Sequence, residues 1–234
     1  MTDNQIKKQF PILTSIVGPI GQNDRNDLSS RLLSNMEWYL DYYKKIESTL
    51  SLMNPFNREY ILNQMRNYKT RDELRGWPQF NSVLTEVEAY QYLVDKNAKK
   101  ITFITEKSSP DLNGYIDKQL VLLEVKRILN SDNENQYIKQ CIKKPTTRSF
   151  APNIPTGLKN KIIKAVEKAS SQLLCYRPQI KAKRIIFLKL NLDLEVHAKN
   201  VTSGDMKKFL TGIKTELVKN KIHLEIVVEK LIYE

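Results

Sequence analysis

Asp111, Glu124 and Lys126 are of the types, and at the spacing, that could do chemistry together. They lie in the stretch SSPDLNGYIDKQLVLLEVKRIL, residues 108–129. From Leu120 to Leu129 this stretch is apolar except for Glu124, Lys126 and Arg127, a pattern that suits a strand buried on both faces. Side chains alternate across a strand, so Glu124 and Lys126 point to one side. A carboxylate in an apolar strand is costly unless something compensates it. Either Lys126 or a divalent cation would do so. Asp111, after Pro110, precedes Glu124 on the adjoining strand, and a turn at Asp117-Lys118-Gln119 would fold the two into a hairpin. Two carboxylates and a lysine would then converge, a donor set that fits a hard, oxygen-seeking cation.

The elements that must position these groups divide at Gly76-Trp77-Pro78 into a helical N-terminal region, residues 1–76, and an α/β region, residues 77–234. Residues 1–24, with Pro11, Gly18-Pro19 and Gly21, read as an irregular arm. Leu28, Leu32, Met36, Tyr39, Tyr43, Ile46, Leu50 and Met53 recur at helical spacing and predict a long helix over 27–53, stopped by Asn54-Pro55. That stripe is a packing surface, within the chain or in a homodimer. Helices are predicted over 57–68, briefly at 70–73, and over 82–95. On the last of these Val83, Val87, Tyr90 and Val94 face inward; at about 100° per residue Glu86 falls near the edge of that face and Glu88 points to solvent. A strand at 101–105 leads into the hairpin. Residues 130–157 form a long connection, followed by a helix over 158–174 with apolar Ile162, Ala165, Val166, Ala169 and Leu173. Residues 183–190 read as a strand parallel to the Glu124 strand, with that helix as crossover. A helix over 203–219 and a strand over 223–231 end an α/β order.

The net charge of +12 is unevenly placed. Residues 118–189 hold 16 basic and four acidic side chains, the whole of the excess. Such a footprint suits a polyanion. Lys143 and Lys144 lie in the long connection, and Lys159, Lys161, Lys164 and Lys168 lie near one another on the helix that follows. Cys141 and Cys175 lack metal-ligand spacing and read as reduced thiols, and His197 and His223 have no partner motif. There is no signal peptide or membrane-length apolar run, which gives the expectation of a cytoplasmic protein with no membrane partner. No phosphate-binding glycine loop and no zinc-ligand cluster is present.

Pro110-Asp111 followed by Glu124-Val125-Lys126 resembles the core motif of the PD-(D/E)XK nuclease superfamily, the restriction-endonuclease-like fold, with flanks that extend the resemblance over roughly residues 80–190. The resemblance implies a mixed central sheet flanked by helices, with an N-terminal helical extension. It implies hydrolysis of phosphodiester bonds, in DNA, of restriction, repair or junction-resolving type, with Mg2+ or Mn2+ as cofactor. Asp111, Glu124 and the backbone carbonyl of Val125 would be ligands. Glu86 would hold a second ion or orient a water, and Lys126 would hold or polarise the attacking water. Gln172 and Tyr176 resemble a Gln-xxx-Tyr pair found in some branches, and would join Lys143, Lys144, Lys159, Lys161 and Lys164 in contacting nucleic acid. The competing expectation is a catalytically silent nucleic-acid-binding or protein-interaction module on the same fold, since fold does not settle function. The presence of Asp111, Glu124 and Lys126 together favours activity.

Overall fold

The computed structural model describes residues 3–16, 37–69, 76–128, 156–190, 203–219 and 225–230. They form an α/β chain in two compact units: residues 1–104 with 112–119, and residues 105–111 with 120–234. Among the described residues no helix is long and apolar enough to cross a membrane.

The first unit contains helices α1 (Asp3–Gln9), α2 (Pro11–Ile16), α3 (Glu37–Leu52), α4 (Pro55–Lys69) and α5 (Gly76–Asp95), then strands β1 (Lys99–Phe103) and β2 (Leu112–Ile116), which pair antiparallel. The arm expected to be irregular is helical over 3–9 and 11–16. Pro11 opens the second of these helices, where a missing N–H costs nothing. Ile6, Phe10, Leu13 and Ile16 are buried, and the Glu47 carboxylate of α3 accepts the N–H groups of Ile12 at 2.6 Å and Leu13 at 2.9 Å, capping α2 from 34–35 residues away. Burial pushes the Glu47 carboxyl above its ordinary pKa, against those two hydrogen bonds, which lower it.

On α3 the stripe residues Tyr43, Ile46, Leu50 and the following Met53 are buried; Leu28, Leu32 and Met36 lie outside the described residues, as does the helix expected at 70–73. Asn54 caps α4 by accepting the Asn57 N–H at 2.8 Å, with Pro55 in the first helical position. Gly76-Trp77-Pro78 is the first turn of α5 rather than a break before it, because proline is tolerated where N–H groups have no helical partner. Helix α5 therefore belongs with the N-terminal helices in the first unit, and the compact units are not divided at residue 76. Asn57, fully buried, donates to the Ile101 carbonyl at 2.7 Å and accepts the Phe103 N–H at 3.2 Å, so it completes the hydrogen bonding of β1 as a neighbouring strand would. Phe103 stacks on Tyr60 and Tyr90.

The second unit holds the 105–111 segment, most of β3 (Gln119–Ile128), α6 (Thr156–Cys175), β4 (Lys183–Leu190), α7 (Ser203–Lys219) and β5 (Glu225–Lys230). Strand β4 lies between β3 and β5 and is parallel to both, with Glu124 opposite Ile186 and Lys126 opposite Leu188. Parallel strands are covered on both faces, which is why Val121 to Leu123 and Ile185 to Leu188 are apolar and buried without a break. Ile162, Val166, Ala169 and Leu173 of α6 are buried as expected from their spacing. The residues before β3, Asp117 and Lys118, have φ of 48° and 66°, the signature of a two-residue hairpin turn.

Candidate active site

Asp111, Glu124 and Lys126 come together within the second unit. Glu124 and Lys126 share a face of β3 because they are two residues apart. The Glu124 side chain is 1% exposed, that of Lys126 24%, and Lys126 Nζ donates to Glu124 Oε1. Asp111 arrives from a turn: the N–H and the hydroxyl of Ser109 both donate to the Glu106 carbonyl, at 3.3 and 2.6 Å. Pro110 then directs the chain into an extended path, and Asp111 Oδ2 accepts the Val125 N–H at 2.6 Å. The residue between Glu124 and Lys126 thus anchors Asp111 to the same strand.

The carboxyls of Asp111 and Glu124 are close enough to share a hydrogen bond. Ionised carboxylates only accept, so when both are charged nothing joins them, and Oε2 of Glu124 is buried without a partner. A proton on the pair relieves this, and a cation bound there would do the same. Burial is the largest influence on each. For Glu124 the neighbouring Asp111 charge adds to it, Lys126 opposes it, and the carboxyl is pushed up from 4.5 to about 7. Asp111 is raised by burial against the Val125 N–H and Lys126.

This donor set fits a hard divalent cation. Glu124 keeps a buried carboxylate oxygen without a hydrogen-bond partner beside a second carboxyl, and Mg2+ commonly takes only one or two protein carboxylates. Among the described residues no group of three or more His, Cys, Asp or Glu side chains gathers to hold a metal.

The other expected residues are placed as follows. Glu86 is half-buried on α5 of the first unit. Glu88 is 7% exposed and is not turned to solvent as its helix phase suggested. Helix α5 packs on α3, α4 and β1, so Val83, Leu84, Thr85, Val87, Ala89 and Tyr90 are all buried and the inward arc is wider than one stripe. Lys143 and Lys144 lie outside the described residues. Lys159 is ion-paired with Glu216 of α7, its side chain 44% exposed; Lys161 and Lys164 are exposed as well. Residues 159 and 161 are about 200° apart around a helix, so the exposed basic row is Lys161, Lys164 and Lys168. Gln172 continues that row and donates through Nε2 to the Ser109 carbonyl. Tyr176 lies under the Arg177 guanidinium, 5.1 Å from the ring centre. Ser109, Glu106 and Arg177 were not singled out from the sequence; the Gln172–Ser109 and Arg177–Glu106 contacts span 63 and 71 residues, with no short motif to announce them.

Comparison with protein-family models, curated proteins and solved structures finds no match for this chain.

The raised Glu124 carboxyl sets a pH dependence. Between about pH 4.5 and pH 7 the folded protein keeps a proton that the unfolded chain releases. Without metal, this contribution to stability is therefore complete below that window and is lost as pH rises through it. Urea unfolding in EDTA should show stability falling from pH 4.5 to 7.5, and Glu124→Gln should flatten most of that fall. A wild-type curve that rises across the window would show that Glu124 is ionised throughout.

Proposed function

We propose that the chain is a metal-dependent nuclease of the PD-(D/E)XK type that hydrolyses phosphodiester bonds in DNA. The observation that supports this most is the buried Asp111–Glu124 pair, with an open carboxylate oxygen, beside the partly exposed ammonium of Lys126. The pair calls for a cation, and the lysine offers a second positive charge to an anionic substrate.

Asp111, Glu124 and the backbone carbonyl of Val125 would hold Mg2+ or Mn2+, which supplies a Lewis acid for the phosphoryl oxygens and lowers the pKa of a water. The chain's own groups divide the remaining work. Asp111 is held by the Val125 N–H, which takes one of its two carboxylate oxygens. Lys126 bonds Glu124 Oε1 and still reaches solvent; from there its ammonium orients the attacking water and offsets phosphate charge. The apolar strands around Glu124 keep bulk water away, which strengthens each of these charges. Lys161, Lys164 and Lys168 rise about 10 Å along α6, on the row that ends at Gln172 beside the Asp111 segment. A polyanion lying along that row would be delivered toward Asp111.

The direct test is incubation with plasmid, linear, single-stranded and branched DNA in Mg2+, Mn2+ or EDTA. Cleavage is expected with either metal and none in EDTA; no cleavage of any substrate would leave a silent binding module. On a cleaved substrate Lys126→Ala should lower the rate by about 10²–10³-fold, the scale of one lost transition-state contact, while affinity in EDTA stays within about twofold because many phosphate contacts share it. Equal loss of binding and cleavage would make Lys126 only the ion-pair partner of Glu124.

The binding surface has its own test. Replacing Lys161, Lys164 and Lys168 together with alanine should lower the slope of log affinity against log salt by up to about 2.7 for duplex DNA, about 0.9 for each contact. An unchanged slope with folding intact would mean that this face of α6 does not meet the substrate.

A further inference from the structure

We infer that the C-terminal end of α6 is a positioning device for Asp111 and that Gln172 is its principal residue, an inference that rests on the proposed nuclease site. Asp111 leaves a turn whose residues have no ladder of their own, and it must be held against the like charge of Glu124. Its direct tether to the backbone of β3 is the hydrogen bond from the Val125 N–H. A second hold acts on the turn just before it. Gln172 Nε2 donates to the carbonyl of Ser109, two residues ahead of Asp111. Ser109 is buried, and the residue between is Pro110, whose ring fixes φ. There is little slack between the Ser109 carbonyl and the Asp111 carboxylate. At the other end of the turn Arg177 pairs with Glu106 at 2.9 Å, but both side chains are about half exposed, so this contact contributes less.

A tether needs a fixed anchor, and Arg184 provides it. From the start of β4 its Nε donates to the Leu173 carbonyl at 2.9 Å, and its terminal nitrogens reach the Ala182 and Ile180 carbonyls at 3.3 and 3.4 Å. The end of α6 is thereby tied to β4, and β4 is ladder-paired with β3, with Arg184 opposite Leu122, two residues before Glu124. Asp111 is connected to β3 by two routes: directly through Val125, and through Ser109, Gln172, Leu173, Arg184 and the β3–β4 ladder. The ring closes on the two carboxylates. The Gln172 amide, expected from the resemblance to contact nucleic acid, is directed inward to the turn instead.

The test compares wild type with Gln172→Ala and with Gln172→Glu, which keeps the size but cannot donate when ionised. Hydrogen exchange of the Val125 amide is the first readout. It should speed up about fivefold in both variants, the scale of one hydrogen bond, while the β3–β4 ladder amides stay as in wild type. The second readout is the Mg2+ concentration for half-maximal cleavage, which should rise about fivefold, with DNA affinity in EDTA unchanged. Unchanged Val125 exchange would overturn the inference, as would weaker DNA binding in EDTA with an unaltered Mg2+ requirement, the pattern of a nucleic-acid contact. If the wild type cuts no substrate, the nuclease reading fails, and the Val125 amide alone decides whether Gln172 holds the Asp111 turn.

Discussion

The carboxylate of Glu124 stands in an apolar parallel strand, out of water, facing the carboxylate of Asp111. Two acceptors in that position have no bond to make with each other, and the Lys126 ammonium engages only one oxygen of Glu124. Burying polar groups in this state costs several kcal/mol unless a compensating partner is present. A folded chain carries such a cost when the group has a use, and perturbed carboxyls of this kind concentrate at functional sites. A proton on the pair is one compensating partner; a cation, under the proposed function, would be the other, and the two would exclude each other. On the proposed function, that competition would link the pH behaviour of the protein to the affinity of the pair for metal.

Around this pair the second unit is arranged as a frame. The β3–β4 ladder fixes Glu124 and Lys126, and a serine–proline turn brings in Asp111. Gln172 and Arg184 fasten that turn to the same ladder through the end of α6. The side of α6 that carries Lys161, Lys164 and Lys168 runs toward the turn, so the helix combines three tasks: crossover between parallel strands, tether for Asp111 and a basic surface.

Much of this was legible because it rests on local rules. The unbroken apolar runs before Glu124 and over 185–188 could only suit buried strands, and the two-residue alternation put Glu124 and Lys126 together. The Asp117-Lys118 turn formed without glycine, as a short polar break between apolar strands should. Other features depend on long-range partners. Prolines at 11 and 78 read as breaks, yet both fit the first turn of a helix. The role of Glu47 requires a helix from 34 residues away to bring two N–H groups to it. Glu88 was assigned outward by phase alone, whereas α5 is packed by three neighbouring elements. The pairing of Lys159 with Glu216 of α7 is likewise a long-range contact.

The most direct measurement of whether the Asp111–Glu124 pair is a metal site is Mn2+ binding, followed at pH 7.5 by electron paramagnetic resonance without nucleic acid. Wild-type protein should bind Mn2+ with affinity that falls as pH is lowered through about 7, where Glu124 takes up its proton. Glu124→Gln, uncharged and unable to serve as an anionic ligand, should weaken binding by about tenfold or more, the scale of about 1.4 kcal/mol. No binding by wild type, or equal binding by the folded variant, would contradict the account.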